Sequence, residues 1–366
     1  MRLAVLLEQC LAPVPGGTGR YSREVAAALA RTAGPDDRVT GVVAWHRDVT
    51  AATVPGVCGP SRLPLPRRAL VAAWERGAGP VPRADVVLAP TPLWPGRRRP
   101  PSVVVVHDAV AWTHPGTLTP RGVAWHRRTI AAAAARAALV VVPTQAVARE
   151  LARHVALREV RVVGEGVSAE LALPADAADR ARRLALPDRY LLTVATLEPR
   201  KGLDVLLAAL AQPGAPDLPL LCAGQPGWGG QDVTALAAAA GLPPQRVRLL
   251  GRVADADLAV LLDRATAVVV PSRAEGFGLP VLEAMAAGTA VVTSDDPALV
   301  EVAGGAARTS RLEPAALAGA LAEVVADDGL RARLERAGRV RAAAFTWDDA
   351  AAQLWAALRS LPERTP

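Results

Sequence analysis

Short apolar runs rich in valine and leucine alternate along the chain with stretches whose apolar residues recur every three or four positions. The first pattern predicts buried strands and the second amphipathic helices, and their alternation predicts βα units forming parallel sheets, an α/β protein. In the first half the predicted strands are Leu3–Leu7, Val39–Ala44, Asp85–Ala89, Ser102–Val106, Leu139–Val142 and Val160–Val163, separated by predicted helices such as Arg20–Arg31 and Arg121–Arg136. Around residues 164–188 the pattern lapses into Gly164, Gly166, Pro174 and Pro187 with a short Ala/Arg helix between, which predicts a hinge. A second series follows, with predicted strands at Tyr190–Ala195, Leu218–Ala223, Val247–Leu250, Ala267–Val270 and Ala290–Val292. After Leu312 only helical patterns remain, ending in a predicted helix Phe345–Leu361 that sets Trp347, Leu354, Trp355 and Leu358 on one face. The expected organisation is a doubly wound first domain over 1–170, a second over 171–344, and a tail helix over 345–366 packing back on the first.

Composition agrees with two cores: the chain has 366 residues, 51% of them hydrophobic, and single cores rarely grow beyond roughly 250–300 residues. The apolar run Leu3 to Leu7 is too short for a secretion signal, and no stretch approaches the roughly 20 apolar residues of a spanning helix. Cys10, Cys58 and Cys222 are odd in number and lack metal-ligand spacing, so neither a disulfide framework nor a zinc site is expected, and a cytoplasmic location is.

Charge changes the picture. The net +7 divides into +10 for residues 1–170, with 22 basic and 12 acidic side chains, and −3 for the remainder. With Arg97-Arg98-Arg99 beside Trp94 and Pro95, the basic half suggests attraction to an anionic membrane at its inner face, or to a polyprenyl diphosphate acceptor. No helix-turn-helix, zinc finger or aromatic-basic sheet motif accompanies the charge, so nucleic acid is not an expected partner.

The strongest chemical signal is Glu275-Gly276-Phe277-Gly278-Leu279-Pro280-Val281-Leu282-Glu283, between a predicted strand and a predicted helix. Open α/β sheets bind ligands at the carboxyl ends of their strands, and glycines there let backbone N–H groups approach a phosphate. Glu283 then falls on the second helical turn, placed to accept from a ribose, and Glu275 faces the transferred group. The plainer reading is an ordinary turn and a solvated helix charge.

Glu198-Pro199-Arg200-Lys201-Gly202 is a second strand-to-helix junction, and its Lys201 is the only lysine among 42 basic residues. A compact ammonium beside a forked guanidinium suits a diphosphate whose charge must be carried away. Pro15-Gly16-Gly17-Thr18-Gly19-Arg20 reads as a glycine loop, with Gly17 allowing close approach of a phosphate or an acceptor, but its spacing does not fit a nicotinamide cofactor. His107-Asp108 follows a buried strand and offers His107 to a sugar hydroxyl; alone, the pair reads better as a capped strand end with a structural histidine. Asp255-Ala256-Asp257 opens a predicted helix and reads as capping rather than metal binding.

In this order, the glycine loop, His107-Asp108, Glu198-Pro199-Arg200-Lys201 and the Glu275…Glu283 motif resemble the retaining GT-B glycosyltransferases of family 4. Lesser segments, among them Gly227-Trp228-Gly229 and Glu301-Val302-Ala303-Gly304-Gly305, carry the resemblance over nearly the whole chain. It implies two Rossmann-like domains facing a central cleft with a C-terminal helix crossing back, and transfer from a nucleotide diphosphate sugar without metal or other cofactor. Arg200 and Lys201 would hold the diphosphate and Glu283 the ribose. Glu275 and the amides of Phe277, Gly278 and Leu279 would hold the sugar and phosphate, and His107 would touch the sugar.

Gly19-Arg20-Tyr21 and Thr196-Leu197-Glu198 are similar to the mannosyltransferase branch, which implies GDP-mannose as first donor and a glycan, lipid-linked or small-molecule acceptor. Ala195 stands where a glycine is common in the family, which leaves UDP- and dTDP-sugars open as donors. A non-catalytic nucleotide-sugar-binding subunit is the rival class.

Overall fold

The computed structural model describes residues 1–97, 99–227 and 229–361, so Arg98, Trp228 and residues 362–366 lie outside the described residues. The chain divides into two compact units. The first holds Met1–Pro115, Thr119–Gly166 and the segment from Thr346; the second holds Gly116–Leu118 and Val167–Phe345.

The first unit is built on a parallel sheet of β1 (Arg2–Leu6), β2 (Arg38–Trp45), β3 (Cys58–Pro66), β4 (Val86–Ala89), β5 (Ser102–Val105), β6 (Leu139–Val142) and β7 (Val160–Val162), in the order β3-β2-β1-β4-β5-β6-β7. The second repeats the plan with β8 (Leu191–Val194), β9 (Leu220–Ala223), β10 (Val247–Gly251), β11 (Ala267–Val270), β12 (Val291–Ser294) and β13 (Arg308–Ser310), in the order β10-β9-β8-β11-β12-β13. Each order reverses direction beside its first strand, between β1 and β4 and between β8 and β11, the switch points where doubly wound sheets receive ligands. The central strands β4, β5, β6, β9, β11 and β12 are buried at every position, which is why they read as largely apolar runs, broken only by Ser102 in β5 and Thr293-Ser294 at the end of β12. Among the described residues no helix is long and apolar enough to cross a membrane.

Three features depart from the sequence expectation. β3 was not predicted, because Pro60, Pro64 and Pro66 argue against a strand; it forms at the sheet edge, where missing donors need no partner on the outer side. β13, with the polar sequence Arg308-Thr309-Ser310, lies at the opposite edge of the second sheet for a related reason: it has only one neighbour to satisfy. The expected glycine loop is largely helical: β1 leads into a short 3-10 turn over Glu8–Leu11, and the helix Gly16–Arg31 already contains Gly17, Thr18 and Gly19. Gly16, at φ +61°, makes the turn into that helix.

The tail helix spans Trp347–Arg359 and belongs to the first unit. It starts two residues later than expected because Thr346 caps it, its hydroxyl accepting from Asp349 N at 3.0 Å. Trp347, Leu354, Trp355 and Leu358 are all buried, and the Trp355 indole donates to the Leu29 carbonyl at 3.2 Å. Ion pairs of Arg31 with Asp348 and of Arg359 with Asp37 flank this face. Exposed pairs of that kind contribute about 0–1 kcal/mol, so the burial of two tryptophans, roughly 150–250 Å² each, does most of the anchoring.

Candidate functional site

In the second unit the signals converge on the switch point. Beyond β8 the chain passes through Glu198 into a single 3-10 turn, Pro199–Lys201, and bends at Gly202 (φ +65°) into the helix Leu203–Leu210. A Cβ at Gly202 would collide with the Pro271 carbonyl just past β11, so only glycine lets the two loops meet. Arg273 then joins them. Its amide donates to the Arg200 carbonyl at 2.8 Å, and its guanidinium donates to the Pro199 carbonyl at 2.8 Å and grips Asp204 at 2.8 and 2.6 Å.

This frame aims two cations at one carboxylate. Lys201 Nζ lies 2.6 Å from Glu275 Oε1, and Arg200 Nη1 lies 2.9 Å from Oε2. The Ser272 hydroxyl donates to Oε1 at 2.7 Å, and Arg200 also reaches Glu198 at 3.1 Å. The Glu275 side chain is only 8% exposed. Burial pushes such a carboxyl up, yet the charges of Lys201 and Arg200, with hydrogen bonds from Lys201 and Ser272, hold Glu275 down at about 2. Nearby Asp296 goes the other way, pushed up to about 6 by burial and by the Glu275 charge, while it caps the next helix through Ala298 N and Leu299 N at 3.0 and 3.1 Å.

Gly278, at φ +94°, opens the helix Leu279–Ala287, and a Cβ there would collide with the Leu299 side chain. Having no side chain, it offers no cap, so the first-turn amides around Phe277, Gly278 and Leu279 depend on other acceptors, the usual setting for an anion. Phe277 is buried, its ring edge-on to Phe345 at 5.7 Å. Glu283 lies in the second turn of the helix and is buried at 4% exposure. Arg200, Lys201, Glu275, Phe277, Gly278, Leu279 and Glu283 therefore all sit in the second unit on the loops and helix that follow β8 and β11.

His107 and Gly17 lie in the first unit. Asp108 caps the short turn after β5, accepting from Val110 N at 3.0 Å. His107 Nε2 is 2.8 Å from the Pro90 carbonyl and Nδ1 is 3.4 Å from Glu165 Oε1, with the His107 side chain 13% and the Glu165 side chain 5% exposed. Burial disfavours a charged imidazole, but Glu165, the Pro90 carbonyl and Asp108 outweigh it and raise the His107 pKa above its ordinary value. The ring nitrogens expected to meet a sugar hydroxyl thus already face acceptors inside the unit. At Gly17 a Cβ would meet nothing within 4 Å, so packing does not demand glycine there.

Sequence reasoning missed Arg273, Asp204, Asp296 and Glu165, and noted Pro271-Ser272 only as a segment that carries the family resemblance, without a role for Ser272. Ser272 and Arg273 directly precede the paired-glutamate motif and were within reach of the same spacing argument. Asp204 and Asp296 stand at the starts of helices and carry no motif of their own, and Glu165 lies between Gly164 and Gly166 in the stretch expected to be a hinge.

Two doubly wound sheets of matching order, one carrying a cation–carboxylate cluster at its switch point, define an α/β protein of the GT-B class. Residues 176–341 match the family described as Glycosyl transferases group 1, and residues 15–171 match Glycosyltransferase Family 4. The chain belongs to the GT-B glycosyltransferases of family 4. It is 35% identical over 168 residues to the O-antigen chain mannosyltransferase B of Escherichia coli, covering 45% of this chain and 44% of that one. It is 36% identical over 232 residues to a D-inositol 3-phosphate glycosyltransferase of Streptomyces avermitilis, covering 58% and 49%. The matched segments span less than half the length of these relatives. Among solved structures, sucrose-phosphate synthase from Thermosynechococcus elongatus superposes with a TM-score of 0.77 at 22% identity, covering 99% of both chains. Anabaena HepE in complex with UDP-glucose superposes with a TM-score of 0.75 at 20% identity, covering 99% of this chain and all of the other.

Proposed function

We propose that this protein is a retaining, metal-independent hexosyltransferase that moves a sugar from a nucleotide diphosphate donor to a glycan, lipid-linked or small-molecule acceptor. The observation that carries the reading is the buried Lys201–Glu275–Arg200 cluster at the switch point between β8 and β11. In it, two cations face two carboxylates, Glu275 and Glu198, so the cluster is electrically balanced before a donor enters. A diphosphate takes Lys201 and Arg200 over from those carboxylates, and the freed Glu275 turns its oxygens to the sugar hydroxyls. The cations then stabilise the charge that grows on the departing phosphate, where a fixed local charge is worth far more than one in water. The amides of Phe277, Gly278 and Leu279 assist the phosphate, and Glu283 binds the ribose. Gly17 gives a phosphate or acceptor close access to the first helix.

GDP-mannose is the first donor, supported by the mannosyltransferases among the relatives. A UDP-sugar is the second reading, supported by the UDP-glucose seated in the superposed HepE. The basic first unit supports peripheral contact with the inner, anionic face of a membrane, from which the enzyme would reach a lipid-linked acceptor on the cytoplasmic side; binding to anionic vesicles at low salt, lost at high salt, tests this.

The deciding experiment is thermal unfolding with GDP-, UDP-, dTDP- and ADP-sugars in the presence of a chelator. A donor at a hundred times its Kd stabilises by about 2.7 kcal/mol, a rise of several degrees for units of this size. A selective rise absent in Lys201→Ala supports the donor site and identifies the base. No rise with any donor rejects it, and a rise without turnover of any acceptor points to a binding subunit.

A further inference from the structure

The first unit contains a buried acid–histidine pair that the reading above leaves without a task. His107 follows β5, Glu165 follows β7 and the Pro90 carbonyl follows β4, so three strand ends meet around one imidazole. The ring edge of Tyr21, from the helix Gly16–Arg31, packs on His107 with centroids 4.7 Å apart, and Trp347 of the tail helix packs on Tyr21 at 5.6 Å. Tyr21 is 2% exposed, and its hydroxyl has no hydrogen-bond partner among the described residues. Gly166 lies so close to the backbone of Thr346 and Trp347 that a Cβ would collide with it, which pins the neighbouring Glu165.

A neutral imidazole has one N–H and one bare lone pair. Carbonyl and carboxylate oxygens only accept, so either neutral tautomer would turn a lone pair on an acceptor, at Pro90 or at Glu165. Only the imidazolium gives each oxygen a proton. The titratable groups facing the ring are Glu165, Asp108 and Tyr21, and both carboxylates favour the charged form.

We propose that Glu165 is a positioning residue that keeps His107 an imidazolium with both N–H groups committed inside the first unit, so that His107 serves as a fixed positive charge at the carboxyl edge of β5 rather than as a partner for a sugar hydroxyl. A buried charge of this kind needs no reorganisation when negative charge develops nearby. The activity arm of the test rests on the transferase reading; the state of the ring does not.

The test is nitrogen NMR of the histidine rings in the full chain, with His107 assigned by the loss of its signals in His107→Gln. At pH 7.5 an ordinary histidine of pKa 6.5 is about tenfold deprotonated, whereas both His107 nitrogens are expected to carry protons. In Glu165→Gln the ring becomes neutral at that pH, and kcat falls about tenfold with the donor KM changed less, recovering as the pH is lowered toward about 6. Glu165→Asp restores part of the loss. A merely structural role would lower activity at every pH without moving the profile. A neutral His107 ring in the wild-type chain at pH 7.5 overturns the proposal, and so does a Glu165→Gln pH profile superimposable on the wild type. Should Glu165→Gln not fold, the wild-type ring decides alone; should the wild type transfer no sugar, the transferase reading fails while the ring still decides this inference.

Discussion

The two units share a strand order yet place charge at their carboxyl edges in opposite ways. The second unit sets a glutamate from the loop after β11 against two cations from the loop after the adjacent β8, and holds its carboxyl down at about 2. The first unit encloses a histidine with acceptors drawn from separate strand ends, and raises its pKa. Exposure does not separate the two sites, since Lys201 and His107 each keep 13% of the side chain exposed; their partners do, Lys201 and Arg200 being held by carboxylates that a diphosphate can replace. The His107 ring nitrogens face the Pro90 carbonyl and Glu165 within their own unit. One strand order thus carries a cation–carboxylate cluster in one unit and an acid–histidine pair in the other, because the fold does not dictate which residues follow its strands.

The sharpest way to break this comparison is at the exchangeable cluster. Glu275→Gln is expected to lower kcat by roughly 10²–10³-fold, the size of losing a transition-state contact, while Lys201→Ala chiefly weakens donor binding, by about tenfold or more. Steady-state kinetics with a fixed acceptor separates the two. Equal, small effects from both variants would remove the cluster from the site.

The opposite pKa shifts yield a second contrast, in stability against pH. Glu275 has a depressed pKa, so its stabilisation is complete above its ordinary value of 4.5 and is lost as pH falls toward about 2. By linkage this is on the order of 3 kcal/mol. His107 has a raised pKa, so its contribution is full below 6.5 and is lost as pH rises through the folded value. Thermal melts from pH 2 to 9 should show Glu275→Gln flattening the acid side and Glu165→Gln the alkaline side. Both variants flattening the same limb would contradict the comparison.

The smallest expected effect is at Gly17. Because a Cβ there has open space, Gly17→Ala should leave Tm unchanged or raise it by a few degrees, alanine being better in a helix by about 1 kcal/mol. A raised KM without lost stability would identify close approach of a ligand as the reason for glycine. Unchanged kinetics would take Gly17 out of the site.

Legibility in the sequence followed locality. The buried central strands announced themselves as apolar runs, and the tail helix by its tryptophan-leucine face. The edge strands β3 and β13 did not, since proline and polar residues are tolerated only where one side of a strand is unpaired, and edge position is a property of the assembled sheet. The residue pairs of the second unit's site were legible because Arg200-Lys201 and Glu275…Glu283 are each contiguous in the chain and punctuated by glycine or proline. That Lys201 and Glu275, 74 positions apart, touch was not, nor that Arg273 and Asp204 brace their loops.

What the sequence determined by itself was the class, the two-unit plan and the candidate chemistry of each strand-to-helix junction, because period, turn residues and rare side chains are local signals. The tertiary structure decided which charges neutralise one another and which stay fixed. It turned the glycine segment from a loop into a helix start, and it made Glu165, unremarked between two glycines, the partner of His107. Those outcomes depend on distances between residues far apart in sequence, and only packing around the two sheets sets such distances.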